Sequence, residues 1–261
     1  MKKAVVTSPP PVVACECEVI DVSPLSKATF QIELLAPADT ILDYHAGQHL
    51  QLELDLDGTG ELKPLLYSIA NGFAPEQPRR LQLIIQNTSE FATRILNHLS
   101  ELNNSNTHAR VTLPMGDAYL QTDLNLPHLL VAAGSGIAKI KCIAEQILRQ
   151  QADANVSIYW SNRQVEDFYL LDAFQDWTEQ HDNLNFTPIL ESAAADWSGR
   201  TGYLYQVIGH DFDNLDGTQA YLCGSPNMVY GTIDQLKPKG LKEADCYSDV
   251  FAYAPREQKI A

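Results

Sequence analysis

The sequence predicts a two-domain α/β protein: an N-terminal six-stranded antiparallel β-barrel with one helix, then a parallel sheet of five or more strands of nucleotide-binding type. Three observations predict it. The first half alternates polar and apolar residues in short runs, the second half intersperses apolar runs with helical periods, and Gly134-Ser135-Gly136 opens that second half. Period-two alternation marks half-buried antiparallel strands, whereas continuous apolar strands separated by helices mark a parallel sheet covered on both faces. A chain of 261 residues with 45% apolar content can fill a core in each domain.

Barrel strands are expected at 13–22, 29–35, 49–54, 66–70, 81–85 and 110–113, and the alternation is clearest from Gln48 to Leu54. One segment of this half, 90–99, has a helical period, with Phe91, Ile95, Leu96 and Leu99 on one face. Six strands and one helix fit a small barrel. After Pro127 the order becomes strand 129–133, helix 137–148, strand 156–160, helix 166–178, strand 184–190, helix 203–208, strand 220–223, helix 226–236 and a short last strand at 250–253. The domains are then 13–122 and 128–254, with an extended or disordered start at 1–12 and a tail at 255–261.

A formal charge of -15 argues against a nucleic-acid partner, because phosphate backbones bind through clustered Lys and Arg. The start of the chain runs into Pro9, Pro10 and Pro11 too soon for a signal peptide, and no apolar run reaches the roughly 18 residues of a membrane span. A cytoplasmic protein without membrane contact is expected. Cys15, Cys17, Cys142, Cys223 and Cys246 are odd in number and lack metal-ligand spacing, so reduced thiols and no metal site are expected.

Two motifs carry chemistry. Gly134-Ser135-Gly136 lies between a strand and a helix, where backbone N–H groups and the helix dipole favour a pyrophosphate. Position 139 is Lys where a dinucleotide fingerprint has its third glycine, which disfavours a conventional Rossmann dehydrogenase. The competing reading is a tight turn with no ligand. Cys223-Gly224-Ser225-Pro226, with Met228 close behind, ends a later strand and should reach the same sheet edge, where open parallel sheets bind ligands. Cys223 could equally be a small buried hydrophobe.

In Leu66-Tyr67-Ser68-Ile69-Ala70-Asn71 the chain resembles the flavin-binding strand of the ferredoxin-NADP reductase superfamily, whose pattern is Arg, any residue, Tyr or Phe, Ser. Ala46-Gly47-Gln48 and Leu113-Pro114-Met115-Gly116 resemble the turns around that strand. Ala133 to Ala138, Tyr159-Trp160-Ser161-Asn162-Arg163 and Cys223 to Met228 resemble the nicotinamide-domain motifs in the family's order. Within the family, the Tyr-Trp strand and the ending Asp249-Val250-Phe251-Ala252-Tyr253 are most similar to bacterial NAD(P)H-flavin reductases, including the type that supplies luciferase.

The resemblance implies that NADH or NADPH reduces a flavin by hydride transfer from nicotinamide C4 to flavin N5. Leu66, Tyr67, Ser68 and Ile69 would bind flavin, with Ser68 near N5, and Phe251 or Tyr253 would cover the ring or else pack in the core. Gly134, Ser135, Gly136, Lys139, Asn162, Arg163, Cys223, Gly224, Pro226 and Met228 would bind the nicotinamide cofactor, with Cys223 beside C4. Ser68 and Cys223 are the candidate catalytic pair. Arg163 would meet the 2'-phosphate or stack on adenine; no acidic residue stands immediately beside it in the sequence, though Glu166 and Asp167 follow close by, so both cofactors would be accepted. Lys139 would reach the pyrophosphate or lie solvated on the surface.

One departure bears on the flavin. The family's arginine, two places before the aromatic, is here Leu65. A leucine cannot hold a phosphate, so riboflavin or FMN, weakly bound, is expected in preference to tight FAD. The expected function is reduction of free flavin for a flavin-consuming monooxygenase. Two alternatives stand beside it: an electron-transfer component serving an oxygenase or ferredoxin-like partner from a bound flavin, and a degenerate module that has lost catalysis.

Overall fold

The computed structural model describes residues 10–256, so most of the expected N-terminal segment 1–12 and of the tail 255–261 lies outside the described residues. The first sheet comprises β1 (Val13–Pro24), β2 (Thr29–Leu35), β3 (His49–Leu54), β4 (Lys63–Ser68), β5 (Arg80–Gln86) and β6 (His108–Met115), in the antiparallel order β4-β3-β6-β1-β2-β5. Its register follows the pleat. On β3, Leu50, Leu52 and Leu54 are buried while His49, Gln51 and Glu53 are only half-buried, as strict alternation demands. Ile32, Leu34, Leu81, Leu83 and Val111 complete this core.

Helix α1 (Glu90–Asn104) follows β5 and starts where Ser89 Oγ accepts from the Ala92 N–H. Ile95, Leu96 and Leu99 face the core, as the period requires, but Phe91 is 45% exposed. It sits in the first turn, two positions beyond the capping residue, and lies outside the buried stripe.

The second sheet comprises β7 (His128–Ala133), β8 (Val156–Asn162), β9 (Leu184–Leu190), β10 (Arg200–Thr201), β11 (Gln219–Cys223) and β12 (Cys246–Tyr247), all parallel in the order β10-β9-β8-β7-β11-β12. Helices α2 (Ile137–Gln150), α3 (Leu171–Gln180), α4 (Leu204–Asp211), α5 (Pro226–Leu236) and α6 (Val250–Tyr253) complete it. The segment 250–253, expected as the last strand, is instead a short helical turn, and β12 lies earlier at Cys246–Tyr247. Four apolar residues carry no usable period, which is why strand and turn look alike there. Leu129, Val131, Val207, Ile208, Leu222, Val229 and Ile233 form one core beneath this sheet.

Two compact units result: the described residues up to Leu120 joined by Lys141–Gln146, and Gln121–Ile140 joined by the described residues from Ile147 onward. Among the described residues no helix is long and apolar enough to cross a membrane, and no group of three metal-ligating side chains is placed to hold an ion.

Candidate functional site

In the parallel unit the strand order reverses beside β7, with β8 on one flank and β11 on the other. Loops leaving β7 and β11 therefore border the crevice where such sheets accept ligands. Gly134 to Gly136 form a short turn of 3-10 helix leading into α2. Gly134 has φ +56, and a Cβ there would meet nothing within 4 Å, so the backbone is left-handed and faces open space. The Trp160 indole N–H donates to the Gly134 carbonyl at 2.9 Å and fixes this peptide. Exposed Ser135 and the amides that open the 3-10 turn suit a phosphate.

Gly136 answers a different constraint. A Cβ there would lie 2.3 Å from the Cys223 carbonyl oxygen, so the glycine turn is pressed against the end of β11. Gly224 follows beside Ala133, and Ser225 Oγ accepts from the Met228 N–H at 3.3 Å to cap α5, with Pro226 at its first position. Burial pushes the Cys223 thiol up to about 11, so at neutral pH it is protonated and is not a ready nucleophile.

Of the other expected contacts, Asn162 is buried and its Nδ2 donates to the Asp167 carbonyl at 3.3 Å. Lys139 is neither solvated nor open to the crevice: its side chain is 2% exposed and its Nζ lies 2.7 Å from Asp249 Oδ2. Arg163 is exposed, but contrary to expectation an acidic neighbour stands beside it, Glu191 Oε2 at 3.4 Å from Nε. Glu191 follows β9, twenty-eight positions away, so local sequence could not show the pairing. Nearby, the Phe168 and Trp197 rings stack at 4.8 Å and 9°, with Trp160 edge-on to Phe168. On α6, Phe251 packs on the Tyr230 ring at 5.7 Å whereas Tyr253 is exposed.

In the barrel unit β4 is the terminal strand in the sheet order, paired with β3 through His49 opposite Ser68 and Leu52 opposite Leu65. Leu66 is 63% exposed, and Leu65, Tyr67 and Ser68 are half-buried. Burial raises the Tyr67 phenol above its ordinary value, so it stays neutral. An apolar, incompletely covered strand carrying a hydroxyl fits one face of a flat aromatic ring. Ile69 departs from the expected set: its side chain is fully buried and its N–H donates to the Gln48 carbonyl at 3.1 Å, so it serves the barrel core.

Gln48, missed as a site residue, holds two quoted motifs together. Its Oε1 accepts from the His45 N–H at 2.7 Å and its Nε2 donates to the Gly116 carbonyl at 3.1 Å. A buried polar side chain with such partners fixes both turns.

Comparison with known proteins agrees with both units. The model of an oxidoreductase NAD-binding domain matches residues 130–233. Protein RfbI of Salmonella typhimurium is 28% identical over 237 residues, 90% of this chain and 67% of that protein. The NAD(P)H-flavin reductase of Vibrio harveyi is 26% identical over 240 residues, covering 91% of this chain and 98% of its own. Among solved structures, the Amycolatopsis cytochrome P450 reductase GcoB superposes with a TM-score of 0.77 at 23% identity, over 95% of this chain and 72% of that one.

The chain is similar to NAD(P)H-flavin reductases along most of its length, and its fold is that of flavin- and nicotinamide-dependent reductases. It is an oxidoreductase, and residues 130–233 of its parallel unit match an oxidoreductase NAD-binding domain. The motifs that carry the resemblance coincide with the geometric features: the open glycine turn, the Cys223 edge and strand β4.

Proposed function

We propose that this oxidoreductase reduces free riboflavin or FMN with NADH or NADPH as hydride donor. One observation carries the reading: Leu65 stands where the family pattern has arginine, on a strand whose neighbour Leu66 is mostly exposed. A charge-assisted hydrogen bond contributes about 1.5 to 3 kcal/mol, so without it a phosphorylated flavin has little advantage over riboflavin. Ring contacts then dominate, and a ligand held by its ring alone can bind oxidised and leave reduced. The match to a flavin reductase over nearly its whole length supports the same reading.

The nicotinamide supplies the hydride and the flavin ring accepts it. The protein orients and excludes water: Tyr67 and Leu66 seat the flavin, and the Ser68 hydroxyl can donate or accept as the flavin nitrogen changes protonation. The turn of Gly134, Ser135 and Gly136 holds the pyrophosphate, and the neutral Cys223 thiol bounds the nicotinamide without competing for electrophiles. Tyr253 is the candidate cover for the ring. A cytoplasmic monooxygenase is the consumer of reduced flavin in this reading.

The test is NADH and NADPH oxidation with no addition and with riboflavin, FMN or FAD, after recording the visible spectrum of the purified protein. Dependence on added flavin, with riboflavin and FMN used about equally, is the expected result. A yellow protein with stoichiometric FAD that reduces only a protein or dye acceptor would overturn it in favour of an electron-transfer component.

A further inference from the structure

Lys139 is a buried charge that the hydride-transfer reading does not use. It lies in the first turn of α2, where an ammonium opposes the helix dipole, and it ranks among the largest fully buried side chains of the chain. Burial also strips its hydration, so a close counter-charge is required. That partner is Asp249 at 2.7 Å, itself only partly exposed.

Asp249 opens the last described helical turn. Its carbonyl accepts from the Ala252 N–H at 3.0 Å and the Tyr253 N–H at 3.4 Å, while the Phe251 N–H reaches the Ser248 carbonyl at 3.2 Å. A single turn does not hold itself together in water. Buried Val250 anchors one side of it, and the ion pair anchors the other. The pair also lies within the electrostatic reach of Cys223, whose thiol Lys139 draws down and Asp249 pushes up. The turn that carries Lys139 is continuous with the one that sets Gly136 against Cys223.

We propose that Lys139 is a positioning residue of the nicotinamide site, acting through Asp249: the buried pair ties segment 248–253 to the first turn of α2 and so fixes the wall around Cys223. Its catalytic consequence rests on the flavin-reductase reading; the tether itself does not. A methionine at 139 would fill the space but leave Asp249 without its counter-charge.

The experiment uses the full chain and the variants Lys139→Met, Asp249→Asn, the double variant and Lys139→Arg. Amide hydrogen exchange is followed at Phe251, Ala252 and Tyr253, with kcat and KM for NADH and riboflavin measured in parallel. Each single charge-removing variant should raise exchange about tenfold or more and lower kcat by about tenfold, with the riboflavin KM within about twofold. The double variant should be no worse than either single, because the two residues act as a unit. Lys139→Arg, which keeps the charge, should recover most of kcat. Unchanged exchange in both singles, additive losses in the double, or faster exchange with wild-type kcat each overturn the proposal. Should Lys139→Met fail to fold, Asp249→Asn, at the more exposed partner, decides the same question. A wild-type chain that turns over no flavin sinks the proposed function, while exchange still decides the tether.

Discussion

In the barrel unit strand β4 offers side chains to a ligand, with Leu66 largely uncovered and Tyr67 and Ser68 half-buried. In the parallel unit the glycine turn offers backbone, with Gly134 facing open space and Gly136 pressed against Cys223. Side-chain surfaces tolerate substitution because neighbours can move; backbone surfaces do not, because a new Cβ has no rotamer to change. On the proposed reading, the difference teaches where specificity can drift: the flavin side can do without the arginine of the family pattern and keep a ring site, whereas the nicotinamide side must keep its glycine.

The sharpest break in that comparison is Gly136→Ala. A Cβ 2.3 Å from a backbone oxygen forces β11 and the turn apart, and overpacking of this kind costs about 1 to 3 kcal/mol. Displacing the phosphate-facing amides should add to that, so the NADH KM is expected to rise about a hundredfold or more while riboflavin binding is retained. Riboflavin titration of the same variant checks that the barrel is intact. A wild-type KM for NADH would mean that the turn does not hold the cofactor.

Acid should separate the units as well. His128 starts β7, its Nε2 lies 3.0 Å from Thr122 Oγ1, and burial pushes its pKa from 6.5 down to about 4. The folded state therefore resists a proton that the unfolded chain takes up near pH 6.5. Stability from this group is complete above about pH 6.5 and falls as pH drops towards 4, by on the order of 3 kcal/mol. All three tryptophans, Trp160, Trp177 and Trp197, belong to the parallel unit, so their fluorescence during denaturant unfolding at pH 7 and pH 4.5 reports on it selectively. His128→Gln should flatten the difference; an equally steep loss in that variant would remove His128 as the cause.

On the barrel side the informative change adds a group. Leu65→Arg restores the family's cation on β4 and should tighten FMN by roughly ten- to a hundredfold, at about 1.5 to 3 kcal/mol, leaving riboflavin within about twofold. Equilibrium titrations of both flavins measure it. An equal gain for both would show that the phosphate does not reach position 65.

These contrasts also explain what was legible in the sequence. All six barrel strands and the parallel strands β7, β8, β9 and β11 could be placed because alternation and apolar runs are local patterns, and the glycine turn was visible because strand, glycine pair and helix are consecutive. Pairings between distant positions were not. Nothing beside Lys139 announces Asp249, and nothing near Gly134 announces that Trp160 will bind its carbonyl, since each contact is made only when strands become neighbours. The 250–253 turn was misplaced as a strand for the complementary reason, that four residues are too short to reveal a period.

The smallest expected effect lies at the rim of the parallel unit, where Arg163 is 82% exposed and meets Glu191 at 3.4 Å. Exposed ion pairs contribute about 0.2 to 1 kcal/mol, so neither residue should matter to stability. They oppose each other in recognition instead: a 2'-phosphate is drawn to the guanidinium and repelled by the carboxylate, whereas a ribose hydroxyl can donate to that carboxylate. Glu191→Gln should then lower the NADPH KM by up to about fivefold and leave or slightly raise the NADH KM, while Arg163→Ala should raise the NADPH KM more than the NADH one. Steady-state kinetics with both cofactors at fixed riboflavin, repeated at higher salt, should show the NADPH differences shrink as screening increases. Equal shifts for the two cofactors would remove this pair from 2'-position recognition and leave the nicotinamide half-site dependent on its backbone alone.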